Sequence, residues 1–225
     1  VAANGNYTFT PVANWNGAVP QLTYNTNTGS SSTLNVTVTA VDDASVLAAD
    51  TKTVAEDTAA TGNVLSNDTD VDSALAVASF TVTGVAGTFN AGQTATIAGV
   101  GTLALNANGD YTFTPVADWN GAVPQVTYTT NTGSSSTLNV TVTPANDAPV
   151  SAGGAVTGTE DTNLVFSWAQ FNVSDVDSAT SSLGVQITTL PTDGTLQFFN
   201  GSSWVAVTLN QTITQAAIAA GNLRF

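Results

Sequence analysis

The chain of 225 residues contains no cysteine, no histidine and no methionine, and Lys52 and Arg224 are its only cations. Each gap removes a class of chemistry. Without cysteine or histidine there is no disulfide, no thiol nucleophile, no Ser-His-Asp triad and no ordinary zinc site. Two cations cannot line a groove for nucleic acid. Sixteen acidic residues leave a formal charge of −14 and a pI near 4.1, which repels phosphate backbones and anionic membranes alike. No run of 18 apolar residues occurs, so no membrane insertion is expected, and Val1-Ala2-Ala3-Asn4 has neither the charged nor the apolar region of a signal peptide. The expectation is a piece excised from a longer chain. Its 42% hydrophobic content, with only 8% charged residues, still permits packed cores.

What is present is repetition. Shifted by 104 residues, Asn4–Val46 falls on Asn108–Val150 with 35 identities in 43 positions. The same shift carries Glu56-Asp57-Thr58 onto Glu160-Asp161-Thr162, and one residue more carries Asp70-Val71-Asp72-Ser73 onto Asp175-Val176-Asp177-Ser178. A period this long is a whole domain with its own core rather than a solenoid unit. Three domains are expected: 1–42, the end of one repeat; 43–146, a complete repeat; and 147–225, a divergent repeat incomplete at its C-terminus.

Alternating Val, Thr, Tyr and Phe predict strands at Val46–Ala55, Gly62–Leu65, Ala76–Val85, Thr94–Ala98, Gly101–Ala107, Tyr111–Val116, Val123–Thr130 and Thr137–Thr143. Turn signals such as Asn108-Gly109 and Asn120-Gly121 separate them. Seven or eight strands in about 100 residues outline an immunoglobulin-like antiparallel β-sandwich. The predicted class is therefore all-β, with tandem sandwiches arranged as a linear rod. Helix is expected only as a turn at Gln215–Ala219.

The acids are clustered: Asp42, Asp43, Asp50, Glu56, Asp57, Asp68, Asp70 and Asp72 fall within 31 residues. Two carboxylates 4 Å apart repel by about 4 kcal/mol at an effective dielectric of 20, and few cations are present to offset this. Hard oxygen donors in loops suit Ca²⁺, which takes 6 to 8 of them. Strand alternation sends successive turns to opposite ends of a sandwich. One junction then collects Asp42, Asp43, Asp68, Asp70 and Asp72, with Asn14 beside them. The next collects Glu56, Asp57, Asp118, Asn146, Asp147, Asp175 and Asp177. Glu160 and Asp161 belong to a third. Trp15 and Trp119 read as caps on the sandwich ends, and Trp204 as hairpin packing.

The segments Ala145-Asn146-Asp147-Ala148-Pro149-Val150, Glu160-Asp161-Thr162, Asn63–Asp72 and Tyr111–Gly121 resemble the tandem cadherin-like, immunoglobulin-like repeats of giant bacterial RTX adhesins. The resemblance covers essentially the whole chain, and the third repeat resembles a sister subfamily. It implies an extracellular, cell-surface extender, rigidified by calcium at its linkers, that projects distal ligand-binding domains for cell adhesion and biofilm formation. In cadherins proper an Asn-Asp linker, a Glu of the first strand region, an acid of a later turn and an Asp-x-Asp share the ions. The sequence departs at its first linker, Val41-Asp42-Asp43-Ala44-Ser45, and at Asn14, which replaces an acid. The expected partners are calcium ions and neighbouring repeats of the same chain. The alternative is a direct binding module for a glycan, a cell or a second copy, using Trp204 or the exposed Thr and Asn faces. No enzyme is expected, because nothing in the sequence forms a cleft around paired carboxylates.

Overall fold

The computed structural model describes residues 2–225 and is almost entirely β. It divides into two compact units, one ending at Pro144 and one running Ala145–Phe225.

The first unit opens with β1 (Gly17–Ala18), β2 (Leu22–Asn25), β3 (Ser31–Leu34) and β4 (Thr37–Val38). β2 pairs with β3 as a hairpin, and β1 pairs with β4. The complete repeat follows as β5 (Asp50–Ala55), β6 (Ala60–Asn63), β7 (Val77–Val82), β8 (Phe89–Asn90), β9 (Thr94–Ile97), β10 (Gly101–Leu105), β11 (Asp110–Pro115), β12 (Gly121–Ala122), β13 (Val126–Thr130) and β14 (Ser135–Thr143). One sheet has the order β6-β11-β10-β9. The other has the order β12-β14-β13-β7-β8, with β5 added on β14.

Alternation explains the core. Tyr111 and Phe113 point inward from β11 while Thr112 and Thr114 face water, and Leu103 and Leu105 do the same on β10. Against them lie Phe80, Val82, Val126, Tyr128, Leu138, Val140 and Val142 from the opposite sheet. Each such side chain contributes roughly 1.5–3 kcal/mol by leaving water. Gly101 is required by a close approach: a Cβ there would strike the Thr114 carbonyl and the Phe113 ring.

The β-sandwich expectation holds, with three refinements. First, β5 pairs with β14 in parallel, Asp50 opposite Leu138 through Ala55 opposite Thr143, so the sandwich is not purely antiparallel. Both strands run from one end of the repeat to the other, which sets its entry and exit at opposite ends. Second, the strand expected at Gly62–Leu65 lies at Ala60–Asn63. The Asn63 side chain takes the Leu65 N–H at 2.8 Å and turns the chain out of the sheet, as Asx turns do. Third, the two-residue β8 was not foreseen; Phe89 stacks on Phe80 with centroids 5.3 Å apart.

The second unit contains β15 (Val150–Ser151), β16 (Val173–Ser174), β17 (Gly184–Gln186), β18 (Gln197–Phe199), β19 (Trp204–Ala206), β20 (Thr212–Thr214), α1 (Gln215–Ala219) and β21 (Leu223–Arg224). The pairs are β15-β16 and β17-β20, and a three-stranded sheet runs β19-β18-β21. Val207, Ile213, Ile218 and Leu223 are buried among Phe166, Trp168, Phe171 and Phe198. The helical turn expected at Gln215–Ala219 is α1, and the Thr214 hydroxyl caps it by accepting the Ala217 N–H at 3.3 Å. Among the described residues no helix is long and apolar enough to cross a membrane.

Candidate functional site

The linker into the complete repeat is held by an Asp-x-Asp turn. Asp70 Oδ1 accepts the backbone N–H groups of Asp72 and Ser73 at 2.8 and 2.6 Å, and its Oδ2 accepts the Ser45 hydroxyl at 2.7 Å. The Ser45 hydroxyl, and after it those two N–H groups, hold the Asp70 carboxyl below its ordinary pKa. Asp72 Oδ2 accepts the Asp43 N–H at 2.8 Å. Ser45 also lies 2.7 Å from Thr132, so the hairpin after β13 reaches the same end. Asn14, Trp15, Thr39, Asp43 and Asp72 line a hollow of about 250 Å³ beside this linker. Asp42 is exposed next to it.

A second set occupies the opposite end of the complete repeat. The Glu56 N–H donates to the Thr143 carbonyl at 2.9 Å, which anchors the turn after β5 to the end of β14. Its side chain is 3% exposed, and Oε2 accepts Asn120 Nδ2 at 3.2 Å. Asp57 Oδ1 accepts the Asp118 N–H at 3.1 Å. Burial of a carboxylate is costly in itself, and Asn120 is one of the groups that meet the Glu56 side chain here.

The second unit repeats the first cradle. Asp175 Oδ1 accepts the N–H groups of Asp177 and Ser178 at 3.0 and 2.6 Å, and Asp177 Oδ2 accepts the Asp147 N–H at 2.6 Å. Asn146 Nδ2 donates to the Asp147 carbonyl. Glu160 and Asp161 line a hollow of about 720 Å³ within this unit, together with Asp193 and Asn163.

Four of the six non-glycine residues with positive φ among the described residues belong to these sets, the others being Asn172 and Asn210. Asn14, Asp57, Asp118 and Asp161 have φ of 60°, 59°, 58° and 59°. Only glycine, asparagine and aspartate enter this left-handed region readily, and such strain concentrates at functional sites.

Asp68 is placed differently from its expected companions. Its Oδ1 accepts the Ala48 N–H at 2.8 Å and its Oδ2 the Tyr128 hydroxyl at 2.7 Å, so it braces the sandwich interior while Asp70 and Asp72 hold the linker. Asp50, at the start of β5, shares this corner, and one of its carboxylate oxygens is buried without a hydrogen bond. Burial first, and the Asp68 charge second, push Asp50 up to about 6, against the hydrogen bonds of Tyr128 and Asn67. Burial and the same acids raise Tyr128 above the ordinary phenol range. Sequence reasoning counted Asp50 among the clustered acids without a role and read Asn120 only as a turn residue, and it did not single out Tyr128, Ser45 or Asp193. The signal for Asp50 was its phase with Lys52 and Val54, which puts it on the inward face of β5.

Residues 42–144 match the family model of the bacterial cadherin-like domain. This repeat is similar to that domain. The cadherin-like segment begins at the first linker acid and ends with the β14 exit, so it contains the Asp70–Asp72 cradle at one end and Glu56, Asp57 and Asp118 at the other. None of the curated proteins matches the chain. Among solved structures, SGBP-B of the Bacteroides ovatus mixed-linkage glucan utilization locus, in complex with a mixed-linkage heptasaccharide, is similar over 95% of this chain at 13% identity, with a TM-score of 0.25. The match spans 56% of that protein's chain.

Proposed function

We propose that this chain is a calcium-stiffened spacer from a large extracellular bacterial adhesin of the RTX type, in which successive cadherin-like repeats hold distal binding domains away from the cell surface. The observation that carries this is the recurrence of one cradle. Asp43, Asp70 and Asp72 in the first unit, and Asp147, Asp175 and Asp177 in the second, make the same three kinds of backbone hydrogen bond. Each cradle fixes its carboxylates at the linker, and the oxygens that Asp43 and Asp72, or their counterparts, bring there are of the kind a hard cation takes. The donor set is oxygen only, which fits Ca²⁺ and excludes soft metals.

The residues that would hold the ions are Asp42, Asp43, Asp70, Asp72 and Asn14 at the first linker. In the rest of the chain they are Glu56, Asp57, Asp118, Asn146, Asp147, Asp175, Asp177, Glu160 and Asp161. An ion bound only by the ordered linker stabilises it by RT ln(1 + [Ca²⁺]/Kd), about 2.7 kcal/mol at 100 times Kd. Extracellular modules have Kd values of ~10⁻⁴ to 10⁻³ M, so such sites fill outside the cell. Calcium thereby converts linkers that bend into linkers that do not, while the sandwiches supply length.

The test is small-angle scattering and thermal unfolding of the fragment in millimolar calcium and in excess chelator. A longer maximum dimension and a higher Tm with calcium, both lost in a variant combining Asp72→Ala with Asp177→Ala, are expected. Identical curves in the two conditions would overturn the spacer mechanism. The alternative of a glycan-binding module is disfavoured at Trp204, because the Arg224 guanidinium lies 3.9 Å from the centre of that ring and occupies one face.

A further inference from the structure

The two cradles share the same three kinds of backbone hydrogen bond but differ at one side chain. Two places after Asp43 stands Ser45, and its counterpart two places after Asp147 is Pro149. Ser45 donates its hydroxyl proton to Asp70 Oδ2 at 2.7 Å. Asp175 accepts only the backbone N–H groups of Asp177 and Ser178 among the described residues. Proline has no hydroxyl to offer, and its ring instead fixes the backbone dihedral of the second linker.

Proton counting gives the Ser45 bond a direction and a root. A carboxylate only accepts, so the single Ser45 proton is spent on Asp70. The Thr132 hydroxyl, 2.7 Å from Ser45 Oγ, must then donate to it. With the Thr132 proton spent, Thr130 at 2.8 Å donates in turn to Thr132, sharing its proton with the Ser134 carbonyl at 3.1 Å. The result is a relay from Thr130 through Thr132 and Ser45 to Asp70, with every hydroxyl dipole turned positive end toward the carboxylate. Aligned hydrogen bonds strengthen one another. The root is firm, because Thr130 closes β13 and is 2% exposed. Ser45 is also the largest of the influences that hold Asp70 below its ordinary pKa.

We infer that Ser45 sets the calcium affinity of the first cradle and makes it the weaker of the two, so that the two linkers stiffen over different calcium ranges. This rests on the proposed calcium-binding reading and adds to it the residue that ranks the sites. A donor fixed on Asp70 stabilises its charge before any ion arrives, and it places a positive hydroxyl end where a cation would meet Oδ2. Calcium has to share that oxygen or displace the proton, and either lowers its gain. Asp175 offers its oxygens without this competition. The same hydroxyl ties the first linker to the hairpin after β13, so that linker keeps part of its order without calcium.

The experiment titrates the full chain with calcium and follows amide hydrogen exchange at Asp72 and Ser73 for the first cradle and at Asp177 and Ser178 for the second. The second pair is expected to gain protection at about threefold to tenfold lower calcium than the first, the range that one hydrogen bond to a carboxylate supplies. Ser45→Ala is expected to bring the first midpoint to within about twofold of the second, while Ser45→Thr, which keeps the hydroxyl, leaves it in place. At the second cradle, Pro149→Ser is expected to have a higher midpoint than Pro149→Ala, a comparison in which neither variant has the ring. In chelator, Ser45→Ala should lower protection at Asp72 and Ser73 and leave Asp177 and Ser178 unchanged. Calcium that protects neither pair overturns the calcium-binding reading and this inference with it. Calcium that protects both pairs at one midpoint, or a first midpoint that Ser45→Ala leaves in place or raises, overturns the inference alone.

Discussion

Tyr128 and Tyr24 are the same residue of two repeats in opposite surroundings, which makes them a controlled pair. The Tyr128 hydroxyl donates to Asp68 at 2.7 Å inside the sandwich, whereas Tyr24 is exposed. Tyr128→Phe leaves a carboxylate oxygen of Asp68 without its donor, and is expected to cost about 1–3 kcal/mol of unit stability, while Tyr24→Phe changes it by less than about 0.5. Denaturant unfolding of the two variants measures both values. Asp50, in the same corner, predicts an unusual pH dependence. Its folded pKa, about 6, lies above its unfolded value, so the folded state binds the proton more tightly. Its charge therefore costs stability above pH 6, and that cost is relieved as pH falls through 6 toward 4. Asp50→Asn is expected to raise stability at pH 7 by up to about 1 kcal/mol after allowance for solvent screening, and to leave no difference from the wild type near pH 4. Melting curves of the two proteins between pH 4 and 7.5, in chelator, give the difference directly; a constant offset across that range would contradict the assignment.

Elements were legible where alternation is strict. β7, β9, β10, β11, β13 and β14 lie within three residues of where Val, Thr, Tyr and Phe in period two place them, because each has one face in the core and one in water. β8 and β12 were not separately legible, since two residues carry no period. The pairing of β5 with β14 was not legible either, because parallel register depends on where the chain ends meet rather than on either strand alone. The acid clusters could be assigned to strand ends from topology, and the bonds of Asp57 with Asp118 and of Asp43 with Asp72 agree with that placement. The inward turn of Asp68 could not, because Asp68 and Asp70 share a phase and their roles are separated by long-range partners, the Ala48 N–H and Tyr128 hydroxyl for Asp68 and the Ser45 hydroxyl for Asp70. Backbone strain at the element ends gives a test at this scale. Asp118→Gly is expected to keep or slightly raise stability in chelator, while Asp118→Ala lowers it by about 1 kcal/mol, since alanine at φ 58° has neither glycine's freedom nor the local bonds of aspartate. Equal stabilities for the two variants would remove the conformational role of that turn.

At the scale of the whole molecule the two units differ in how much they bury. The first encloses both aromatic layers of a full sandwich, among them Phe80, Phe113 and Tyr128, while the second fully buries only aliphatic side chains around Ile218. Stability grows with apolar area removed from water, so the units are expected to unfold separately, the second at lower denaturant, and not as one two-state transition. On the proposed calcium-binding reading, the ion acts selectively. The Asp175–Asp177 cradle tethers Asp147 to the loop after β16, at the start of the less stable unit, so an ion held there adds its binding energy where the intrinsic margin is smallest. Millimolar calcium is therefore expected to move the low-denaturant transition further than the high one. Asp177→Ala should cancel most of that movement, leaving the unfolding of the complete repeat unchanged in chelator. Tryptophan fluorescence separates the two, with Trp168 and Trp204 in the second unit and Trp15 and Trp119 in the first, where Trp15→Phe removes the signal from outside the complete repeat. Equal shifts of both transitions, with or without Asp177, would show that calcium acts through general screening of the −14 charge rather than through the cradle, because screening does not distinguish one aspartate among sixteen acids.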